Sequence, residues 1–237
     1  MEDYNCLATL HPQYGVLSSA PSRGVNVSQQ HVAVAAVFDG HAGCQTASAA
    51  AEHLPHLLHQ GLTGRQGSST AAKGDSVALL ARDGACQRLS VDHRADNALE
   101  MLRVLDAGGE LEYDAAGTLR LYRPSDVERR NGCMFTRSLG DFNFKQPRPL
   151  LLCEPHVVHQ ELTPSDSLLL LASDGVTDAL WDDDVIDVAM RALEQARNRT
   201  SDGQWLAQAA ADEVTAAALR GNSGDNITAV AVLLDWS

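Results

Sequence analysis

The stretch LLLLASDG, residues 168–175, decides the fold. Four consecutive leucines predict a short strand that is buried on both of its faces, and this strand carries Asp174 into the loop that follows. An earlier run, VAVAAVF at residues 32–38, is also apolar and β-branched, and it ends at Asp39. Both runs therefore predict a buried strand that places a carboxylate at the rim of a sheet.

A third predicted strand also has an aspartate beside it, but at its start: Asp225 lies just before the apolar run at residues 227–234. A single aspartate at a turn is commonplace and needs no functional explanation. Three carboxylates gathered at strand ends repel one another, however, and a cation is what makes such a gathering stable. Ligands that are all oxygen favour the hard ions Mg²⁺ and Mn²⁺ over zinc or copper. The pattern therefore predicts a site for divalent cations.

The rest of the chain alternates hairpins with helices. Asp83-Gly84 is a strong short-range hairpin signal, and residues 114–117 predict a second hairpin turn. The spacing of apolar residues predicts helices at residues 46–62, 97–107, 182–196 and 205–219. Strands in hairpins that are interleaved with helices favour an α+β layered domain over a doubly wound parallel sheet.

The composition limits the classes of partner. The chain has 237 residues and a formal net charge of −13. This charge disfavours nucleic acid as a partner, because binding to a phosphate backbone needs clustered Lys and Arg. It also repels a phosphorylated substrate at long range, so a phosphate site in this chain would need cations of its own. Many proteins are acidic for solubility alone, and composition leaves both interpretations open.

Cysteine usage and hydropathy bear on the compartment. The five cysteines are scattered and form no CxxC pair, which argues against a disulfide framework and a zinc–thiolate site. No run of eighteen apolar residues is present, so we expect no membrane span. The first residues lack the basic and apolar succession of a secretory signal. We expect a cytoplasmic or nuclear protein, and a monomer.

Seven short segments occur along nearly the whole chain, and these are Met1-Glu2-Asp3, Phe38 to Gly43, Gly74 to Ser76, Leu89 to His93, Arg137 to Asp141, Leu171 to Gly175 with Asp178, and Gly224 to Thr228. The segments resemble those of protein phosphatases of the 2C type and occur in the same order, which makes the resemblance specific. The resemblance implies a four-layer α-β-β-α sandwich of two antiparallel sheets flanked by helices, formed by a single catalytic domain over residues 1–237.

The resemblance also implies which residues bind two Mg²⁺ or Mn²⁺ ions. Asp39 resembles the carboxylate that bridges the two ions. Glu2 and the carbonyl oxygen of Gly40 resemble ligands of one ion, and Asp174 and Asp225 resemble ligands of the other.

Three further positions match the family. Asp75 and Asp178 resemble the pair that holds a third, weaker ion. His41 matches the histidine that protonates the leaving seryl or threonyl oxygen. The implied reaction is hydrolysis of phosphoserine and phosphothreonine in phosphorylated proteins by a metal-bridged water, without a phosphoenzyme.

Other positions depart from the family pattern. An arginine that grips the substrate phosphate precedes the Met-Glu-Asp segment in the family, whereas this sequence starts at Met1. Near residues 70–75 the chain is shorter than the family pattern. We therefore expect one sheet to be shortened, which would expose backbone groups. Val77 lies where the family usually has arginine, and Thr177 lies where it often has tryptophan. These departures keep a second hypothesis open, a catalytically weakened relative that serves as a scaffold or regulatory binding module.

Three other groups of residues have competing interpretations. His53, His56 and His59 recur every third residue, but the last has rotated off the face of the first, so a solvated helix face is favoured over a metal site. Asp182 to Asp184 is better explained by a helix N-terminus than by a metal cluster. Arg129-Arg130 could take the vacant phosphate role, a hypothesis that competes with a solvated surface.

Overall fold

The structure is a computed structural model that describes residues 4–11, 15–19, 32–40, 45–61, 68–72 and 74–236. The strands are β1 (Tyr4–His11), β2 (Gly15–Ser19), β3 (Val32–Phe38), β4 (Ser68–Ala72), β5 (Val77–Arg82), β6 (Ala85–Arg88), β7 (Glu110–Tyr113), β8 (Leu119–Tyr122), β9 (His156–Gln160), β10 (Asp166–Ala172) and β11 (Ala229–Leu233). The helices are α1 (Gln45–Gly61), α2 (Ala98–Asp106), α3 (Asp174–Thr177), α4 (Asp182–Arg197) and α5 (Gly203–Arg220).

The chain divides into two compact units. Unit 1 contains the described residues up to Thr70, together with Ser76–Leu89 and the segment from Val158 onward. Unit 2 contains Ala71–Asp75 and Ser90–Val157. A single catalytic domain over residues 1–237 stays a prediction beside this division.

Unit 1 is layered. Helices α4 and α5 cover one face of an antiparallel sheet with the strand order β11-β10-β5-β6. The other face packs against the antiparallel sheet β2-β1-β3, and α1 lies against that second sheet. The predicted α+β fold, with antiparallel sheets flanked by helices, is confirmed. The second sheet has three strands within the described residues.

The leucine strand β10 lies at the centre of this arrangement. Leu168 and Leu170 are fully buried on the side of α4 and α5. Leu169 and Leu171 face the other way and pack among the apolar side chains of β5, β11 and β3. Both faces of β10 are therefore covered by apolar side chains, but only the face of Leu168 and Leu170 is fully buried, and Leu169 and Leu171 are partly buried. Each fully buried leucine stabilises the fold by roughly 1.5–3 kcal/mol, so β10 holds the loop that follows it firmly in place.

The predicted hairpins and helices are present with shifted ends. Asp83 and Gly84 both have positive φ, 52° and 79°, which joins β5 to β6 through the predicted two-residue turn. Asp114 caps the turn between β7 and β8, because its Oδ1 accepts hydrogen bonds from the amides of Ala116 and Thr118. The helices α1, α2, α4 and α5 match the four predicted from spacing.

Unit 2 has its own apolar core around α2 and the β7–β8 hairpin. Its buried side chains are Val104, Leu121, Phe144, Leu150 and Leu151. No helix in the described ranges is both long and apolar enough to cross a membrane.

Candidate functional site

The loop after β10 is bonded to the loop before β11. The amide of Ser173 donates to the carbonyl of Thr228 at 3.0 Å, and the Ser173 hydroxyl donates to the carbonyl of Asn226 at 3.3 Å. The same hydroxyl accepts from the amide of Thr228 at 3.1 Å. Antiparallel pairing brings the end of β10 to the start of β11, with Ala172 opposite Ala229. These bonds therefore join the segments that carry Asp174 and Asp225.

Gly175 allows the two segments to approach closely. A Cβ at Gly175 would lie 1.9 Å from the carbonyl oxygen of Asn226, so a side chain cannot be accommodated there. Gly175 therefore leaves room for the neighbouring backbone. Gly224 differs, because a Cβ there would meet no atom within 4 Å.

The carboxylates of this junction differ in exposure. Asp174 begins the short helix α3 and is 7% exposed. Asp225 is half-buried, and its Oδ1 accepts a hydrogen bond from the amide of Asn226 at 2.7 Å. We call Asp174, Asp225 and the bonded segments that carry them the acidic junction.

Asp39 lies at the end of β3 in the same unit. It is half-buried, and Gly40 beside it is buried. Val37, two residues before Asp39, packs against Val230 and Val232 of β11. The β3 strand that carries Asp39 is therefore packed on the strand that follows Asp225.

The fit of this donor set to a divalent cation can be tested on its chemistry. Three carboxylates and a carbonyl are the hard oxygen ligands that Mg²⁺ and Mn²⁺ prefer. In the part of the chain that the structure describes, no group of three or more His, Cys, Asp or Glu residues is arranged so that it could hold a metal ion. Glu2 and His41 lie outside the described residues. The donor types fit the cation, while the complete ligand set stays a prediction.

Asp75 and Asp178 belong to different units. Asp75 is buried in unit 2, and Arg94 Nη1 lies 3.5 Å from its Oδ2. The preceding Gly74, with φ of 74°, accepts a hydrogen bond from the amide of His93. Asp178 is exposed in unit 1, and its amide donates to the carbonyl of Asp174 at 2.7 Å. A shared ion between Asp75 and Asp178 stays a prediction.

The structure argues against the phosphate role suggested for Arg129-Arg130. Arg129 donates to Glu112 at 2.8 Å and to Glu110, and its guanidinium lies 5.1 Å from the centre of the Tyr122 ring. Hydrogen bonds to Glu112 and Glu110 hold the pKa of Arg129 above its usual value. Arg130 pairs with Glu128. Both guanidinium groups therefore already have carboxylate partners, although the Arg130–Glu128 pair is exposed to solvent.

The two remaining alternatives have different outcomes. Asp182 to Asp184 form the first turn of α4, as the helix N-terminus interpretation predicted, and Asp182 also accepts from Arg88 at 2.9 Å. His53 is exposed on α1, and the side chains of His56 and His59 lie outside those that can be described.

Sequence reasoning missed one buried ion cluster in unit 2. Glu100 on α2 accepts from Arg103 at 2.8 Å and from Arg137 at 2.5 Å. Burial raises the pKa of Glu100, but hydrogen bonds from Arg137, Arg103 and Thr136 outweigh burial and leave the pKa below its usual value. The signal was Glu100 three residues before Arg103, a spacing typical of a helical ion pair.

Comparison with known proteins identifies a family. A family model described as protein phosphatase 2C matches residues 62–227. Probable protein phosphatase 2C 68 of Oryza sativa subsp. japonica is 35% identical over 160 residues, which are 67% of this chain and 39% of that protein. The chain thus spans well under half the length of that relative.

Two solved structures have the same fold. A sex-determining protein from C. elegans matches with a TM-score of 0.69 and 23% identity, over 86% of this chain and 56% of that chain. A serine-threonine phosphatase 2C from Toxoplasma gondii matches with a TM-score of 0.57 and 28% identity, over 70% of this chain and 54% of that chain.

Proposed function

Because this chain belongs to the protein phosphatase 2C family, we propose that it hydrolyses phosphoserine and phosphothreonine in proteins. The observation that carries the proposal is the acidic junction, in which the Ser173 hydroxyl and the close approach at Gly175 join the Asp174 and Asp225 segments. Two acidic segments fixed at one end of a sheet are suited to bind a divalent cation. The family match over residues 62–227 supports the reaction class.

We propose that Mg²⁺ or Mn²⁺ is held by oxygen donors from loops at strand ends. When bound, such ions supply a water of lowered pKa and neutralise charge on the phosphoryl oxygens. The proposed donors are Asp39, Asp174, Asp225, Glu2 and the carbonyl of Gly40.

The residues of the chain orient the reactants and move a proton. His41 is proposed to donate a proton to the leaving seryl or threonyl oxygen, a role that requires hydrogen-bond reach. The burial of Asp174 keeps its carboxylate in surroundings with little water, where electrostatic interactions are stronger than in bulk solvent. Ser173 fixes the loop in advance, so little reorganisation is needed during the reaction.

A phosphopeptide assay tests this proposal. We expect the chain to release phosphate from a phosphothreonine peptide in a Mn²⁺-dependent way. Asp174→Asn should lower kcat/KM by about 100-fold or more, the scale expected when one electrostatic contact to the transition state is lost. Asp183→Asn is the matched control, because Asp183 is exposed on α4, and it should leave kcat/KM unchanged. Metal-independent turnover, or no turnover from folded protein, would contradict the proposal.

One observation favours the second candidate, a scaffold or regulatory binding module. Arg94 already provides a positive charge beside Asp75, the residue assigned to the third, weaker ion together with Asp178. The guanidinium of Arg94 could take the place of that ion. The chain would then stay folded, but its catalysis would be weaker. Cytoplasmic or nuclear phosphoproteins are the partners expected of either candidate. Folded protein that binds a phosphothreonine peptide without hydrolysing it would support this alternative.

A further inference from the structure

Helix α2 in unit 2 has its polarity reversed. Leu99, Leu102 and Leu105 are 79%, 65% and 49% exposed, whereas Glu100 is 4% exposed. A surface helix normally buries its apolar residues and exposes its charged ones. The inward face of α2 instead consists of Val104 in the unit 2 core and Glu100 in its pairs with two arginines. The three leucines therefore lie largely outside the core of unit 2.

The three leucines form a row that winds along the exposed side of the helix, with Leu99 and Leu105 about 120° apart around the helix axis. Residues three apart are neighbours on a helix surface, so Leu99, Leu102 and Leu105 form a continuous ridge, which we call the leucine ridge. Single exposed leucines are normal on protein surfaces, but a contiguous apolar patch marks an interaction site. Ridges of this kind pack into the grooves of another helix.

Both ends of the leucine ridge are acidic. Asp96 precedes the helix and Asp106 is its last residue, and both are exposed. Neither pairs with a cation within the residues that the structure describes. Asp106 is also at the negative end of the helix dipole, where an acidic residue is unfavourable. A Lys or Arg of a partner would be attracted at this end by both the carboxylate and the helix dipole.

We propose that the leucine ridge binds an amphipathic helix of another protein, one whose apolar stripe is flanked by Lys or Arg. The acidic ends decide between occupants. A second copy of this chain would bring its own Asp96, Asp106 and net charge of −13 to the interface, so like charges would oppose pairing. An anionic membrane surface would be repelled in the same way. A basic amphipathic helix satisfies both the apolar ridge and its acidic ends.

A pair of designed peptides tests the proposal with the full chain. One is a 14-residue leucine–lysine helix, and the other has the same leucine spacing with glutamate in place of lysine. Fluorescence anisotropy of the labelled peptides gives the Kd. We expect the leucine–lysine peptide to bind and the leucine–glutamate peptide to bind at least tenfold more weakly.

Variants then locate the binding site. The double variant Leu99→Gln/Leu102→Gln should weaken binding of the leucine–lysine peptide at least tenfold. Glutamine has nearly the helix propensity of leucine and both positions are exposed, so the helix is retained, and circular dichroism checks this. Leu219→Gln is the matched control, because Leu219 is 67% exposed on α5, and it should leave the Kd within twofold. Asp96→Asn/Asp106→Asn should weaken binding severalfold and reduce its salt dependence.

Three results would overturn the proposal. The first is a Kd for the double variant equal to that of the unaltered chain, which would mean that acidic surface elsewhere captures the peptide. The second is equal binding of the leucine–glutamate peptide. The third is a dimer in sedimentation that the double variant dissociates, which would make a second copy the occupant. Because these readouts do not involve hydrolysis, they hold whether or not the chain is a phosphatase.

Discussion

Gly175 and Asn226 lie against each other, so that a Cβ on Gly175 would stand 1.9 Å from the Asn226 carbonyl oxygen. The two residues follow Asp174 and Asp225 directly, so their contact sets how closely the two acidic segments approach. The neighbour of Gly175 is backbone rather than a flexible side chain, and backbone cannot move aside without disturbing the β10–β11 pairing.

Gly175→Ala should separate the acidic segments. Overpacking of this kind costs typically 1–3 kcal/mol and more when backbone must shift, so we expect a loss of stability of about 3 kcal/mol and loss of phosphopeptide hydrolysis. Gly224→Ala is the control, because a Cβ there meets nothing within 4 Å and its φ is not in the left-handed region. Urea unfolding measures both variants, and equal stability of the two would contradict the assigned role of Gly175.

Ser173→Ala should destabilise the junction more mildly. The hydroxyl of this fully buried serine donates to the Asn226 carbonyl and accepts from the Thr228 amide, so its removal takes a hydrogen-bond partner from two partly buried backbone groups. The expected cost is about 1–3 kcal/mol. Ser223→Ala is the control, because the buried Ser223 hydroxyl has no hydrogen-bond partner in the described structure, and we expect almost no change. Thermal unfolding distinguishes the two, and a neutral Ser173→Ala would refute the proposed bonding.

The buried Asp166 at the start of β10 should make the free energy of unfolding depend on pH in the acidic range. Arg82 donates to both of its carboxylate oxygens, at 2.7 and 3.0 Å, and Thr163 donates its amide at 2.7 Å. The hydrogen bond from Arg82, above all, holds the pKa of Asp166 below its usual value. Its contribution is therefore complete above the ordinary aspartate pKa of about 3.9 and is lost as the pH falls through the lowered folded value.

Asp166→Asn should lose this contribution at neutral pH, roughly 1.5–3 kcal/mol for hydrogen bonds to a charged group. The stability of the variant should also fall less steeply than that of the unaltered chain below about pH 4. Asp202→Asn is the control, since Asp202 caps α5 at an exposed position where asparagine caps equally well. Urea unfolding from pH 7 to pH 3 is the measurement, and parallel curves for Asp166→Asn and the unaltered chain would contradict this account.

Glu100→Gln should destabilise unit 2. The substitution keeps the shape of the side chain but leaves Arg103 and Arg137 without their shared carboxylate. Breaking a buried ion pair costs 3–5 kcal/mol, and because both arginines are partly exposed we expect about 2–3 kcal/mol. Glu112→Gln is the control, because Arg129 keeps Glu110 as a partner. Amide hydrogen exchange in α2 should speed up in Glu100→Gln only, and equal exchange in both variants would rule the cluster out as a support of unit 2.

The sequence predicted the acidic loops because strongly apolar strands make the positions of Asp39, Asp174 and Asp225 easy to recognise. The sequence could not show why position 175 needs a glycine, because the contact with Asn226 joins residues that are far apart in the chain. The nine-residue helix α2 was predicted from leucine spacing, but the spacing could not tell which face is buried. Long-range pairs with Arg137 hold Glu100 inside and leave the leucines outside. The sequence could not show that Arg129, in the loop after β8, is paired, because its partners Glu110 and Glu112 lie in β7, more than fifteen residues earlier.

Direct Mn²⁺ binding tests most closely whether the acidic junction is a cation site. Electron paramagnetic resonance of unbound Mn²⁺, titrated with the full chain, gives the affinity without any need for turnover. We predict that the chain binds Mn²⁺ and that Asp174→Asn and Asp225→Asn each weaken binding at least tenfold, while Asp183→Asn leaves it unchanged. Equal Mn²⁺ binding by the unaltered chain and by folded Asp174→Asn and Asp225→Asn would contradict the account.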